Sequence, residues 1–561
     1  MSETIRIAKA IDQRINIHED PVLVLSESVP SVQFNNLQVS GSASVNPTFN
    51  ISVPPGQGLS REIFMAFNIT FQITGTNLTQ YNNFNAIALR AYPLNSCITS
   101  CNVNLGTNGV SMNTSLYQPL FTQWNVDSAV ANSDFSSFPS APDLYSSYTT
   151  AVGASNSPFD SILSSPNSQY VNSSRTGQIT AITVNSATSM TVSAQIIEPI
   201  MVSPFTYTGV KNPKKALFNL SNVVVSLSFN NLPRMLSWSP AAFGQASVST
   251  ITSVVGNFGS QQLYYDIISP FEDSLLNSVR PTSYNYTNTQ IQSSGFVIAG
   301  TGSTSSTSSN VLQFSYIPSH FAIWAMPPPS ALNDQTNSYP DFNFSISGVS
   351  INFAQRSNLI GTNAQPVQLY NLCKKNGSNT SYPQWAGLPI VSSGSASNYQ
   401  YGGGALILDV SSDLSLPKSS CVGMASQVNF QINLTITNNS PVNWSTAYPL
   451  DSCQLYVAAF TPGICTIEFG GVVNLEVGAG ITKQMYDNAP ALSASTDDSV
   501  RNAMASNGYS GGSWSSFMNA IKPYVDPIGK ALSQKAVGAI ETFGAGKMNR
   551  GKVRGLLKNY L

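Results

Sequence analysis

The chain has 561 residues, of which 42% are hydrophobic and only 9% charged, and its formal net charge is −1. That length allows two to four domains of ordinary size, and six cysteines in so long a chain exclude a disulfide framework. Asn, Ser, Thr, Val, Tyr and Phe are abundant, which suits strands joined by polar loops, and the recurrence of clearly alternating strands along the chain speaks against a fibrous or wholly disordered one.

The first twenty residues, MSETIRIAKAIDQRINIHED, are charged every few positions and hold no apolar run of signal-peptide length, so residues 1–20 read as an N-terminal arm. No later stretch is long and apolar enough to span a bilayer, and the expectation is a soluble chain without a cleaved signal. The N-x-S/T sequons, including Asn68, Asn77, Asn433 and Asn443, are what chance delivers at this composition and do not argue for secretion.

Residues 21–245 read as a first β-unit. REIFMAFNITFQITGTN (61–77), NAIALRAY (85–92), GQITAITV (177–184) and SMTVSAQIIEPI (189–200) have strand character, and the LGTNG turn makes 97–113 a hairpin. TSLYQPLFTQW follows as a short helix with Thr114 or Ser115 as its cap. Residues 135–175, rich in Ser, Pro, Asn and Tyr and without periodicity, read as a long surface loop.

The same order recurs in 246–485. NVLQFSYIPSHFAIWAMPPP (310–329) and DFNFSISGVSINFAQ (341–355) are strand regions, and PVQLYNLC (366–373) is a short helix. The clearest repeat is VVVSLSFNN at 223–231 against VNFQINLTITNN at 428–439, each followed by a Pro and a Trp. Val225, Leu227 and Phe229 share one strand face, as do Ile432, Leu434 and Ile436 at an offset of 207 residues. Thr437 is one extra residue before the second Asn-Asn. A repeat of that length is a domain. Two sequential units with short strands, one helix and long connections predict an all-β chain of two tandem jelly-roll sandwiches. The boundary is expected near 237–250.

From 486 to 561 the chain changes into a flexible, basic, amphipathic tail, with Ile528, Leu532, Ala536, Ala539 and Phe543 near one helical face. From residue 521 on there are eight basic and two acidic residues, so a near-neutral total hides a tail of net +6 and a remainder of −7. Lys547, Arg550, Lys552, Arg554 and Lys558 are the candidates for contacts with nucleic-acid phosphates or an anionic membrane, against a reading as a solvated or partner-docking helix. Asn488-Ala489 would suit a cleavage junction.

No P-loop, dinucleotide, metalloprotease or nucleophile-elbow pattern is present. Only His18 and His320 exist to serve a catalytic triad or to complete a zinc site with Cys97 and Cys101. The two cysteines of CITSC read as small buried side chains, and His320 as a strand-edge or interface residue. The expectation is no enzyme and no cofactor.

The blocks REIFMAFNITFQITG, NAIALRAYPLNSCITSCNVNLGTNGVSMNTSLYQPLF, NLSNVVVSLSFNNLPRMLSW and LQFSYIPSHFAIWAMPPPS resemble segments of the major capsid proteins of virophages and polinton-like viruses. The resemblance covers most of residues 21–470 and is weaker in the tail. It implies a double jelly-roll coat protein: a homotrimer forming pseudo-hexagonal capsomers in an icosahedral shell, beside neighbouring capsomers and penton and minor capsid proteins. It also implies a place in the virion, assembled inside the host cell, with genome or internal-membrane contact through the tail. A β-sandwich adhesin or carbohydrate-binding surface protein is the alternative, suggested by the Ser/Asn/Tyr-rich loops; a jelly-roll hydrolase ranks third.

Overall fold

The computed structural model describes residues 6–9, 22–25, 31–39, 43–81, 87–124, 177–205, 216–238, 250–269, 282–360, 364–390, 399–416, 420–468 and 470–478. The expected loop 135–175, His18, and the tail 486–561 with Lys547, Arg550, Lys552, Arg554 and Lys558 lie outside the described residues. Strands are numbered along the chain.

A short hairpin of β1 (Arg6–Lys9) and β2 (Val22–Leu25) comes first, so part of the expected arm is strand. The first sandwich then sets a five-stranded sheet, in the order β3 (Ser31–Gln38), β13 (Ile251–Ser269), β5 (Gly58–Gly75), β10 (Ser189–Pro199), β9 (Gly177–Ser186), against a four-stranded one. The latter runs β4 (Thr48–Ser52), β11 (Asn222–Phe229), β7 (Ile98–Leu105), β8 (Asn108–Met112). A small pair, β6 (Ile87–Leu89) with β12 (Leu236–Trp238), closes one corner.

The second sandwich repeats the plan. One sheet has the order β14 (Thr282–Phe296), β23 (Cys453–Ile467), β17 (His320–Met326), β21 (Leu406–Asp409), with β24 (Val473–Val477) also on β23. The other centres on β22 (Ala425–Asn438). Phe430 of β22 faces Leu312 of β16 (Leu312–Tyr316) on one side and Phe353 of β18 (Phe344–Phe353) on the other. β15 (Thr304–Ser308) continues the β16 side. A two-residue pair, β19 (Pro389–Ile390) with β20 (Tyr399–Gln400), completes the set.

The repeated phrase is therefore the same strand twice. β11 lies between β4 and β7, and β22 between β15/β16 and β18. Val225 and Leu227 fall in one core with Phe67 and Phe71, whereas Ile432, Leu434 and Ile436 fall in the other with Phe321 and Phe353. Each face is apolar because a strand's side chains alternate and only one side meets the opposite sheet. Phe321 stacks on Phe430 at 4.0 Å in the second core, and Phe229 packs edge-on against Phe258 at 4.9 Å in the first.

The expected boundary at 245/246 needs correction. β13 lies beyond it in sequence yet pairs with both β3 and β5, so the first sandwich continues to Ser269. The last strand of a Greek-key sandwich returns to insert between early strands, and pairing over such a separation leaves no local mark. β23 plays the same part in the second unit, between β14 and β17.

The expected hairpin at 97–113 is β7–β8, although Cys97 ends a short helix, α1 (Pro93–Cys97), instead of opening the strand. The expected helix is α2 (Thr114–Gln123), but neither Thr114 nor Ser115 caps it: Asn113 holds that position without a side-chain capping bond. The Thr114 hydroxyl instead donates to Asn95 O of α1 at 3.3 Å. The second expected helix is α3 (Pro366–Lys375), entered through a capping box of Gln365 and Gln368.

Ile432→Ala should lower stability by about 2–5 kcal/mol, because Ile432 is fully buried in the second core. Its urea-unfolding midpoint measures this, and a midpoint equal to that of the unmodified chain would mean that β22 is not central.

Candidate functional site

The functional geometry of this chain is the seam between its two sandwiches. Along β17, Phe321, Ile323 and Ala325 point into the second sandwich's own core, while Ala322, Trp324 and Met326 point to the opposite face. β23 alternates in step: Leu455, Val457 and Ala459 inward, Tyr456, Ala458 and Phe460 outward. The outward row is apolar and buried because α2 of the first sandwich lies on it through Leu120 and Trp124. Trp324 stacks on Tyr456 at 5.5 Å beneath that cover, and Trp124 meets Phe460 edge-on at 4.8 Å.

Polar groups fix the position of α2. Gln123 accepts from Ala405 N at 2.8 Å and donates to Gly403 O at 3.3 Å, imitating a backbone partner for a stretch leading into β21. Trp124 Nε1 donates to Asn376 O, just beyond α3, at 2.9 Å. Behind α2, the buried Glu198 carboxylate accepts from Leu94 N at 2.7 Å and Asn95 N at 2.8 Å. It thereby holds the start of α1, which in turn receives the Thr114 hydroxyl.

A buried charge cluster locks the corner beside α2. Asp341 of the second sandwich lies 2.8 Å from Arg234 Nη2 and 3.7 Å from Arg90 Nη1, all three side chains being under a tenth exposed. Arg90 also donates to Tyr339 O, and Asn231 Nδ2 donates to Leu332 O at 2.9 Å. Removing one partner of a buried pair costs about 3–5 kcal/mol, so this cluster tolerates only one arrangement of the two units.

A second contact joins the far ends. Tyr284, Tyr286, Cys465, Ile467 and Val473 of the second unit pack into the first unit's core. The Thr107 hydroxyl exchanges hydrogen bonds with the Val473 backbone at 3.1 and 3.3 Å, and Asn108 donates to Val473 O. Gly106, with φ of 55°, sits so close that a Cβ there would collide with Gly471 O.

The residues singled out from sequence separate clearly. His320 opens β17 at the seam, its ring 5.6 Å from that of Trp124 and its Nδ1 3.1 Å from Ser319 Oγ. Cys97 and Cys101 are buried in the first core, Cys97 Sγ donating to Asn231 O at 3.3 Å, and burial pushes both thiols up to about 12. Both therefore serve as small core side chains. Arg90, Arg234, Asp341 and Gln123 carry the seam without any sequence motif to announce them. The signal that was available is the unbroken apolar run FAIWAM after His320, since a strand apolar on both sides must be buried on both.

Two outcomes follow from this geometry. In a double-mutant cycle, Trp124→Ala and Phe460→Ala should couple by about 0.5–1.5 kcal/mol; additive losses would mean that α2 does not dock there. Burial lowers the His320 pKa below its ordinary 6.5, with Asp409 and Asp413 opposing the shift. The unfolded chain then takes up the proton first, so the stability contributed by neutral His320 is complete above pH 6.5 and is lost on acidification. The melting temperature should thus fall less for His320→Gln than for the unmodified chain when the pH drops below that value, and equal falls would refute the assignment.

Comparison with known proteins supports the same architecture. The family model for the first domain of the Sputnik virophage major capsid protein matches residues 5–267, and that for the major capsid protein V20 C-terminal domain matches residues 284–463. The first match ends within β13, in keeping with the corrected extent of the first sandwich. Capsid protein V20 of Sputnik virophage is 22% identical over 479 residues, covering 81% of this chain and 77% of that protein. A chain of the cryo-EM structure of Sputnik virophage aligns with a TM-score of 0.72 at 20% identity, over 87% of this chain and 96% of that one. The mavirus major capsid protein aligns with a TM-score of 0.66 at 15% identity, over 88% and 100% respectively. Two units of one plan, matched in order by the models of two successive capsid domains, place this chain in the family of virophage-type double jelly-roll major capsid proteins, the structural proteins of the virion shell.

Proposed function

We propose that the chain assembles as a homotrimer whose six sandwiches form a pseudo-hexagonal capsomer of an icosahedral shell. The observation that carries this reading is the internal duplication: two sandwiches of one plan are held at a fixed angle by a buried seam, so three copies supply six similar lobes. The division of labour within the chain follows the sheets, the first sandwich running to Ser269 and the second beginning at Thr282. Scarce surface charge suits wide contacts with neighbouring capsomers and with penton and minor capsid proteins.

The tail has a separate task in this reading. Lys547, Arg550, Lys552, Arg554 and Lys558 face the shell interior and contact the genome or an internal membrane, as the excess positive charge beyond residue 521 supports.

Purified full-length chain should be trimeric by native mass spectrometry and hexagonal in negative-stain projection. A stable monomer at micromolar concentration would overturn the proposal. Deleting 512–561 should leave the trimer intact and reduce salt-sensitive binding to duplex DNA or anionic vesicles; unchanged binding to both would remove the tail from this role.

A further inference from the structure

Arg61 of β5 breaks the pattern of the row it belongs to. Leu59, Arg61 and Ile63 share one face of that strand, and Leu59 and Ile63 are buried in the first core. At this end the core is closed by Tyr284 and Cys465 of the second unit, so the half-buried guanidinium lies between the two sandwiches. Its Nε donates to Pro204 O of the first at 2.7 Å, and its Nη2 to Asn285 O of the second at 3.4 Å. The neighbouring Ser203 hydroxyl accepts from Thr287 N at 2.9 Å. Arg61 and Ser203 thus meet two alternate residues of β14, an edge strand of its sheet.

What this guanidinium lacks is a counter-charge. Arg90 and Arg234 meet Asp341, and Lys375 meets Asp413, whereas Arg61 meets no carboxylate among the described residues. Its electrostatic neighbours are a phenol and a thiol, Tyr284 and Cys465, and burial lowers its pKa. A guanidinium carries five donors, and the two carbonyls leave the rest of the Nη1/Nη2 fork unused. The chain around this end is also basic. Two connections are anchored beside Leu59, one ending at Leu217, which bridges to it, and one starting after Ile268, which pairs with Gly58. The first adds Lys211, Lys214 and Lys215 and no acid, and the second adds Arg280 with Glu272 and Asp273. Counting Arg61, five basic residues stand against two acidic ones, a surplus of three in a chain whose total is −1.

We propose that Arg61 and Ser203 form a binding site for a phosphate-class oxyanion at the boundary between the two sandwiches. A charge drawn out of water without a partner is costly, and a bound anion supplies the charge that the protein side leaves out. The unused donors of the guanidinium fork match two oxygens of such a group. The Ser203 hydroxyl accepts from Thr287 N and keeps its own proton to give to a third oxygen. Glu272 and Asp273 are the competing partners within the chain, yet the end stays basic with both of them engaged. Free phosphate and the backbone phosphate of a nucleic acid offer the same chemistry. Either one would tie the Pro204 side of the first sandwich to the Asn285 side of the second.

The melting temperature of the full-length chain, compared between sodium phosphate and sodium chloride at equal ionic strength, reads occupancy. A ligand that binds only the folded chain raises it, by about 2 °C at ten times its Kd. The unmodified chain should show this rise, Arg61→Gln should lose it, and Arg61→Lys should keep part of it. In chloride Arg61→Gln should melt no lower than the unmodified chain, since it removes an uncompensated charge. Should Arg61→Gln fail to fold, broadening of the phosphorus-31 resonance of inorganic phosphate by the unmodified chain, weakened in Ser203→Ala, reads the same site. A short single-stranded oligonucleotide that displaces phosphate supports the site and assigns it to a nucleic-acid backbone; one that leaves bound phosphate in place supports it as a site for the free anion. An equal rise in the unmodified chain and in Arg61→Gln would be a general salt effect and would overturn the proposal. So would a rise that appears only when Glu272→Gln and Asp273→Asn are combined, because the linker would then be the native partner of Arg61.

Discussion

A β-sheet with two apolar faces must be covered twice, and the inner sheet of the second sandwich is such a sheet. Its strands β17 and β23 send Phe321, Ile323, Leu455 and Val457 one way and Trp324, Met326, Tyr456 and Phe460 the other. The opposing sheet of its own sandwich can cover only the first set. The second set is buried by Leu120 and Trp124 of a helix that belongs to the other unit. The second sandwich is thus incomplete without the first, and the two lobes form one rigid building block.

The polar chemistry at the seam serves orientation more than net stability. A buried ion pair roughly balances its own desolvation, yet it makes every other arrangement costly because a displaced partner would leave a charge buried and unpaired. Asp341 between Arg234 and Arg90 acts in this way at one corner. Gln123, bonded to both Ala405 N and Gly403 O, acts likewise by satisfying backbone groups that would otherwise be stranded beside β21. A coat protein benefits from such specificity, since an error in the angle between lobes would be multiplied around a shell.

The same division recurs at the edges. The outer edge of β21 is closed by side chains: Asn376 Nδ2 donates to Ile407 O, Trp385 Nε1 to Ala405 O, and Asp413 accepts from Asp409 N. β3, by contrast, is an edge strand bearing Phe34 and Val32 in the open. Natural sheets protect an edge unless it has a use. One chain thus carries both an edge closed by side chains and an edge strand with exposed apolar residues.

Much of this architecture was legible in local sequence. Alternation identified the core triplets of β11 and β22, the LGTNG turn placed the β7–β8 hairpin, and the spacing of TSLYQPLFTQ and PVQLYNLC located α2 and α3 to within a few residues. These are properties of neighbours along the chain, and a period of two or a turn residue records them directly. The extent of the first sandwich was not legible, because β13 belongs with β3 and β5 only through pairing across some two hundred residues. Nor was the seam: Arg90, Arg234 and Asp341 lie in three unrelated stretches, and nothing about an isolated Arg or Asp tells whether it will meet solvent or a buried partner. The sequence by itself determined two β-sandwiches of one plan; only the tertiary structure decided that they share a face, because burial of that face depends on what the second unit brings against it.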